Sequence, residues 1–453
     1  MQYKSCNPYT RELNSVYDLI GDQTLNQTLE QAEVAFENWR RSPLSFRTDR
    51  LLEIAELLQT RETELARLIT IEMGKPINQS KAEIRKCVSV CRFYVEKGPD
   101  FLAPQYYRTP ASESYVQYDP LGVILAIMPW NFPFWQVFRC AIPTLLAGNA
   151  FLLKHAPNVP QCSLAIAQLF ADAGLPVGLF QQIFADETQI AHLIAQPAIK
   201  GVTLTGSDRA GSAIAKLAGA YLKPCVMELG GSDPFIVLKD ADIGKAAWFA
   251  AKSRFNNTGQ TCIAAKRILV EEAVFDLFCT AFVAEVQKLH IQDPSKAVSN
   301  IGPMARPDLV ENLDRQVQAS INLGAKKIVV GGPDPENPNI YHPEVLVDVH
   351  KDMPVLTEEV FGPVAVLEKV ANEKVAIQRA NETAYGLGAA LWTSDLQKAK
   401  QLVSEIHAGF VSINGMVRSM VELPFGGVKR SGLGRELSKE GILAFTNVKT
   451  VVI

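Results

Sequence analysis

Leu121-Gly122-Val123-Ile124-Leu125-Ala126-Ile127 is a short, continuous apolar run closed by Pro129-Trp130-Asn131-Phe132-Pro133. A run of this length, rich in branched residues and bounded by Pro and Asn, reads as a strand buried on both faces. Downstream, the same signature returns at Ala150-Phe151-Leu152-Leu153, Phe180–Phe184, Gly201–Leu204 and Cys225–Met227. Helical periodicity fills the gaps, at Gln136–Leu146, Gln161–Ala173, Thr188–Ala195 and Arg209–Leu217. Strand and helix in alternation predict an α/β fold with a parallel, doubly wound sheet and ligands at the strands' carboxyl ends.

A second alternation runs from Pro234 to Val421, with strands expected at Phe235–Leu238, Arg267–Val270, Lys327–Val330, Val364–Leu367, Gly388–Trp392 and Gly409–Ile413. It predicts a second doubly wound α/β domain. Upstream, from Thr24 to Lys97, apolar residues recur at three and four, which predicts two or three amphipathic helices punctuated by Pro43 and by Met73-Gly74-Lys75-Pro76. Ser112–Val116 alternates like an exposed hairpin strand. Gly230-Gly231 and the loop Pro333–Tyr341 are the expected junctions.

The 453 residues call for more than one core. Forty-five Lys and Arg against forty-eight Asp and Glu leave a formal charge of −3, which disfavours nucleic acid and anionic membranes as partners and favours a small metabolite. Met1–Ile20 has no apolar core for a secretory signal, and Leu121–Trp130 is too short to span a bilayer. The eight cysteines form no C-x-x-C pair and no zinc spacing, so no metal site is expected and the thiols read as reduced, in a cytoplasmic protein.

One cysteine stands apart. In Phe255-Asn256-Asn257-Thr258-Gly259-Gln260-Thr261-Cys262 the thiol follows turn-forming residues, which can hold a nucleophile sharply and partly exposed; a buried structural thiol is the competing reading. Glu228, between an apolar strand and Gly230-Gly231, sits where desolvation raises a carboxyl toward the range of a general base, or else it is a cap or ion-pair residue. Asn131, fixed between prolines at a strand end, is either an oxyanion donor or an Asx-turn residue. Thr205-Gly206-Ser207 leads from strand to helix as a pyrophosphate cradle would, and as an ordinary turn also would. Lys154, in Lys154-His155-Ala156-Pro157, suits ribose hydroxyls or solvent alike.

Together, Pro129-Trp-Asn-Phe-Pro, Glu228-Leu-Gly-Gly, Asn257-Thr-Gly-Gln-Thr-Cys262, Glu359-Val-Phe-Gly-Pro and Pro424-Phe-Gly-Gly-Val-Lys-Arg-Ser-Gly resemble the aldehyde dehydrogenase superfamily in order and spacing. The resemblance implies a cofactor domain (residues 1–107 and 122–229), a catalytic domain (230–421), and a β-hairpin oligomerisation arm with the tail (108–121 and 430–453) that builds a homodimer or homotetramer. It implies Cys262 as nucleophile, Glu228 as base, and Asn131 with the Cys262 amide as oxyanion donors. NAD or NADP would then meet Trp130, Lys154, Ala156, Pro157, Gly206, Ser207, Glu359 and Phe361. In NAD-selective relatives a glutamate often stands where Pro157 is; its absence leaves NADP unopposed, with Lys154 and His155 as attractants, so acceptance of both cofactors is expected.

For the aldehyde, the resemblance implies a channel lined by Phe132, Gln136 and Arg139. Succinate-semialdehyde dehydrogenases are similar to this chain in having arginine at 139, which would take a substrate carboxylate in a bidentate fork unless a structural carboxylate claims it. They commonly carry a second arginine where Asn256 stands here; either Arg418 or Ser419 supplies the missing polar contact, or the substrate is another small polar or aliphatic aldehyde. A papain-like hydrolase would need a histidine base, and the six histidines lie in no such signature. A catalytically silent relative would not need Cys262, Glu228 and Asn131 together, and Glu228 favours water over coenzyme A as the final nucleophile.

Overall fold

The computed structural model describes residues 2–453. Four helices, not two or three, cover the first hundred residues: Asp22–Trp39, Leu44–Thr60, Glu62–Met73 and Ile77–Leu102. Pro43 and Pro76 stand immediately before the second and fourth, as expected. The extra boundary is at Arg61, which ends one helix and begins the next with no Gly or Pro to signal it. Apolar residues on their inner faces, such as Leu51, Ile54, Leu58, Leu65 and Ile69, are fully buried; each contributes about 1.5–3 kcal/mol of transfer free energy.

The first of these helices packs on a six-stranded sheet, and the other three on the helices Trp135–Leu146 and Pro160–Asp172 that cover it; the strand order is Gly432–Leu433, Cys225–Glu228, Ile199–Thr205, Val123–Met128, Ala150–His155, Phe180–Ile183. All pairings are parallel except that of Gly432–Leu433, through which the tail adds an antiparallel edge. Strand order reverses between Val123–Met128 and Ile199–Thr205, so the turns after these two strands splay apart and leave a crevice. Trp130, Asn131, Gly206 and Ser207 occupy those turns.

The second sheet has seven strands: Lys326–Val329, Glu344–Val347, Val364–Val370, Ala265–Glu271, Asp233–Val237, Gly388–Trp392 and Phe410–Ile413. Only Lys326–Val329 is antiparallel. Thr446–Val452, Ser114–Pro120 and Gln105–Tyr106 form a third, antiparallel sheet. Tyr106, Val448 and Val452 are exposed on it. No helix among the described residues is long and apolar enough to cross a membrane.

Candidate active site

The segment carrying Cys262 is held in a conformation that ordinary residues avoid. Asn257, Thr258 and Gly259 have φ of 53°, 58° and 73°, three consecutive left-handed residues after the helix Ile243–Phe255. Non-glycine residues persist there only where the surroundings over-determine them. The Asn257 amide donates to Gln79 Oε1 (2.8 Å) and its side chain to the Asn131 carbonyl (2.8 Å); Thr258 Oγ1 donates to the Gly302 carbonyl (3.0 Å); Gln260 Oε1 accepts from the Ala305 amide (2.9 Å). Arg254, fully buried, donates to the carbonyls of Val364, Val360, Gly362 and Gly259. At Gly259 a Cβ would stand 2.2 Å from the Gly362 carbonyl oxygen, so only glycine fits.

Cys262 is the point where two cavities meet. One, of about 240 Å³, is lined by Phe132, Gln136, Arg139, Arg418 and Ser419, the five residues proposed from sequence for the aldehyde. The other, of about 360 Å³, is lined by Trp130, Asn131, Gly206, Ser207, Glu359 and Phe361. Trp130 and Phe361 meet edge-on with ring centroids 5.8 Å apart. Lys154, Ala156 and Pro157 do not line this second cavity; Lys154 lies near the end of the neighbouring strand and Ala156 and Pro157 just beyond it, and the Lys154 ammonium is 5.8 Å from the Tyr3 ring centroid. His155 corrects one expectation: it is fully buried, its Nε2 bonded to the Pro133 carbonyl (2.9 Å), and burial pushes its pKa down to about 4. A neutral ring there attracts no phosphate.

Asn131 uses one amide hydrogen on the Gln260 carbonyl (3.0 Å) and keeps the other; the Cys262 backbone amide has no acceptor among the described residues. Two preorganised donors are what an oxyanion needs. The loop bearing Asn131 is pinned by Glu83, which accepts from the amides of Phe134 (2.8 Å) and Trp135 (3.0 Å) and pairs with the buried Lys75.

Burial pushes the Cys262 thiol up to about 11, against the pull of Lys266 and Arg139. Glu228, 2 % exposed, is raised well above the usual carboxylate range, chiefly by desolvation, with Arg139 opposing. Its carboxylate packs on Gly426, where φ is 158° and a Cβ would lie 2.7 Å from Oε1, and it lines neither cavity. Glu228 therefore stands behind the wall of the site, with Oε1 buried and without a hydrogen-bond partner.

Arg139 corrects another expectation. It lines the aldehyde-side cavity, but its guanidinium is paired with Glu436 and donates to Thr205 Oγ1 (3.1 Å), so a structural carboxylate already holds it. Three residues absent from the sequence reading belong to the site. Lys266 donates to the carbonyls of Cys262 (2.9 Å) and Gly231 (2.7 Å) and to Glu359 (2.5 Å); Glu436 arrives from the tail; Lys86 lines the aldehyde-side cavity. Each is a charged residue that local pattern assigns to solvent.

The family model for the aldehyde dehydrogenase family matches residues 1–451. A succinate semialdehyde dehydrogenase of Escherichia coli using NAD(P)+ is 44% identical over 447 residues, covering 99% of this chain and 97% of that protein. An NADP(+)-dependent succinate-semialdehyde dehydrogenase of Deinococcus radiodurans is 44% identical over 450 residues, covering 99% and 94%. Among solved structures, succinic semialdehyde dehydrogenase from Streptococcus pyogenes with NADP+ superposes with a TM-score of 0.97 at 33% identity, covering 100% and 99% of the two chains. With a matching model over nearly all its length and relatives this similar end to end, the chain belongs to the aldehyde dehydrogenase family.

Proposed function

We propose that the enzyme oxidises succinate semialdehyde to succinate with NADP or NAD, using Cys262 as nucleophile, Glu228 as general base and Asn131 with the Cys262 amide as oxyanion donors. The observation that carries this reading is the position of Cys262 between the two cavities, one with the walls of a substrate channel and one with those of a dinucleotide cleft. The names of the relatives supply the substrate and the cofactors.

The cofactor-side residues fit a nicotinamide dinucleotide. Trp130 and Phe361 offer aromatic walls, Glu359 a carboxylate for ribose hydroxyls, and Ser207 the N-cap of the helix Asp208–Ala220, whose first amides suit a pyrophosphate. The dinucleotide, when bound, supplies the hydride acceptor. Cys262, its proton given up to solvent, adds as the thiolate to the aldehyde carbon, and the oxyanion is held by Asn131 Nδ2 and the Cys262 amide. Departure of hydride leaves a thioester on Cys262. Glu228, its basicity raised by burial, then takes a proton from water, which attacks the thioester and releases the acid.

We further propose the division into a cofactor domain of residues 1–107 and 122–229, a catalytic domain of 230–421, and an arm and tail of 108–121 and 430–453, in a cytoplasmic homodimer or homotetramer. The exposed apolar residues on the three-stranded sheet support the arm as the contact between copies. The test of function is the growth of reduced-nicotinamide absorbance over an aldehyde panel with both cofactors. Succinate semialdehyde is expected to give the highest kcat/KM; a higher value for a neutral aldehyde of the same length would overturn the substrate assignment.

A further inference from the structure

The charges around the aldehyde-side cavity do not cancel. Arg139 is paired with Glu436, and Glu83 with Lys75. Asn256 is neutral, and Arg418 is exposed at the rim. That leaves Lys86, on the cavity-facing side of the helix Ile77–Leu102. Its Nζ donates to Ser419 Oγ (2.5 Å) and lies 4.0 Å from the Trp135 ring centroid, and no carboxylate stands within ion-pair distance of it among the described residues. A partly buried ammonium with a hydroxyl and a π face but no counter-ion is an anion receptor in waiting.

Resting on the proposed function, we infer that Lys86, with Ser419 as its hydrogen-bonded partner, receives the distal carboxylate of the substrate, so that this enzyme selects ω-oxo carboxylates by a lysine on the Ile77–Leu102 helix rather than by the charge of Arg139. The aldehyde end then lies toward Cys262, which shares the cavity. Electrostatics agree with the geometry. Burial, followed by repulsion from Arg139, draws Lys86 down to about 7, with Cys87, Glu83 and Cys262 opposing. A bound carboxylate would restore the full ammonium charge. Ser419 reaches Lys86 from the loop after the strand Phe410–Ile413, so the receptor is assembled from both halves of the chain and lines the same cavity as the nucleophile.

The experiment compares wild type with Lys86→Met and Lys86→Arg on succinate semialdehyde and butanal. Lys86→Met is expected to lower the ratio of the two kcat/KM values by about 10- to 100-fold, mostly through KM, because one charge-assisted contact is lost. Lys86→Arg is expected to recover much of the ratio, since it restores the charge. Succinate itself reads out the receptor without turnover. Calorimetric binding of succinate to wild type, lost in Lys86→Met, supports the assignment. An unchanged ratio with unchanged succinate binding would overturn it. Failure of wild type to oxidise any aldehyde while Lys86→Met still abolished succinate binding would instead overturn the proposed function and leave the receptor standing.

Discussion

Arg139 and Glu436 form a buried ion pair across the wall between the aldehyde-side cavity and the tail, with side-chain exposures of 2% and 5%. Removing one member of such a pair strands the other charge, at about 3–5 kcal/mol. Arg139→Ala is therefore expected to lower the thermal midpoint and to reduce kcat/KM for succinate semialdehyde and for butanal together. Thermal denaturation and the two specificity constants check this. A variant of normal stability that had lost only the semialdehyde would return the substrate carboxylate to Arg139.

The raised Cys262 thiol sets a pH dependence. The reactive form is the thiolate, the pKa lies near 11, and so the thiolate fraction in the free enzyme climbs about tenfold per pH unit between 7 and 10. Alkylation of Cys262 by iodoacetamide, followed by peptide mapping, should climb with it. A plateau reached by pH 8 would show that the neighbouring cations, Lys266 and Arg139, outweigh burial.

Glu228→Gln is expected to complete one hydride transfer and stall as the thioester, because the base is needed only for the water step. Rapid mixing should record a burst of reduced cofactor near one equivalent per site. Slow turnover with no burst would place Glu228 before hydride transfer.

Cofactor choice rests on what stands beside Lys154. Pro157 presents no carboxylate, and Lys154 stands in no ion pair among the described residues, with Glu187 acting on it only at longer range, so a 2′-phosphate meets the attraction of the lysine. Both cofactors should be used, with kcat/KM values within about a thousandfold, or roughly 4 kcal/mol. Pro157→Glu should shift the ratio toward NAD by at least about tenfold, one carboxylate against one phosphate. No shift would mean that residue 157 is remote from the 2′ position.

The alternation of the two sheets was legible because a strand buried on both faces writes itself as a continuous apolar run, as Val123–Met128 and Gly388–Trp392 do. Tyr3–Cys6 and Leu13–Tyr17 leave no such trace, since a short hairpin with polar residues on both strands has no continuous apolar run. Glu344–Val347 is hidden in the sequence for a different reason: its four buried residues begin with a glutamate, whose partners are Tyr341 (2.8 Å) and Lys327. At the site, Cys262, Asn131 and Glu228 were visible because their turns demand particular residues. Lys86, Lys266 and Glu436 were invisible because what makes each of them matter is a partner distant in sequence, and a lone charged residue in a helix or strand reads as solvated.

The central claim, that aldehyde oxidation runs through Cys262, is tested most directly by following reduced-nicotinamide absorbance with succinate semialdehyde in wild type and Cys262→Ala, alongside cofactor binding by tryptophan fluorescence. The account predicts steady turnover in wild type, and in Cys262→Ala unaltered cofactor binding with no burst and no turnover. Hydride transfer persisting in Cys262→Ala would contradict it.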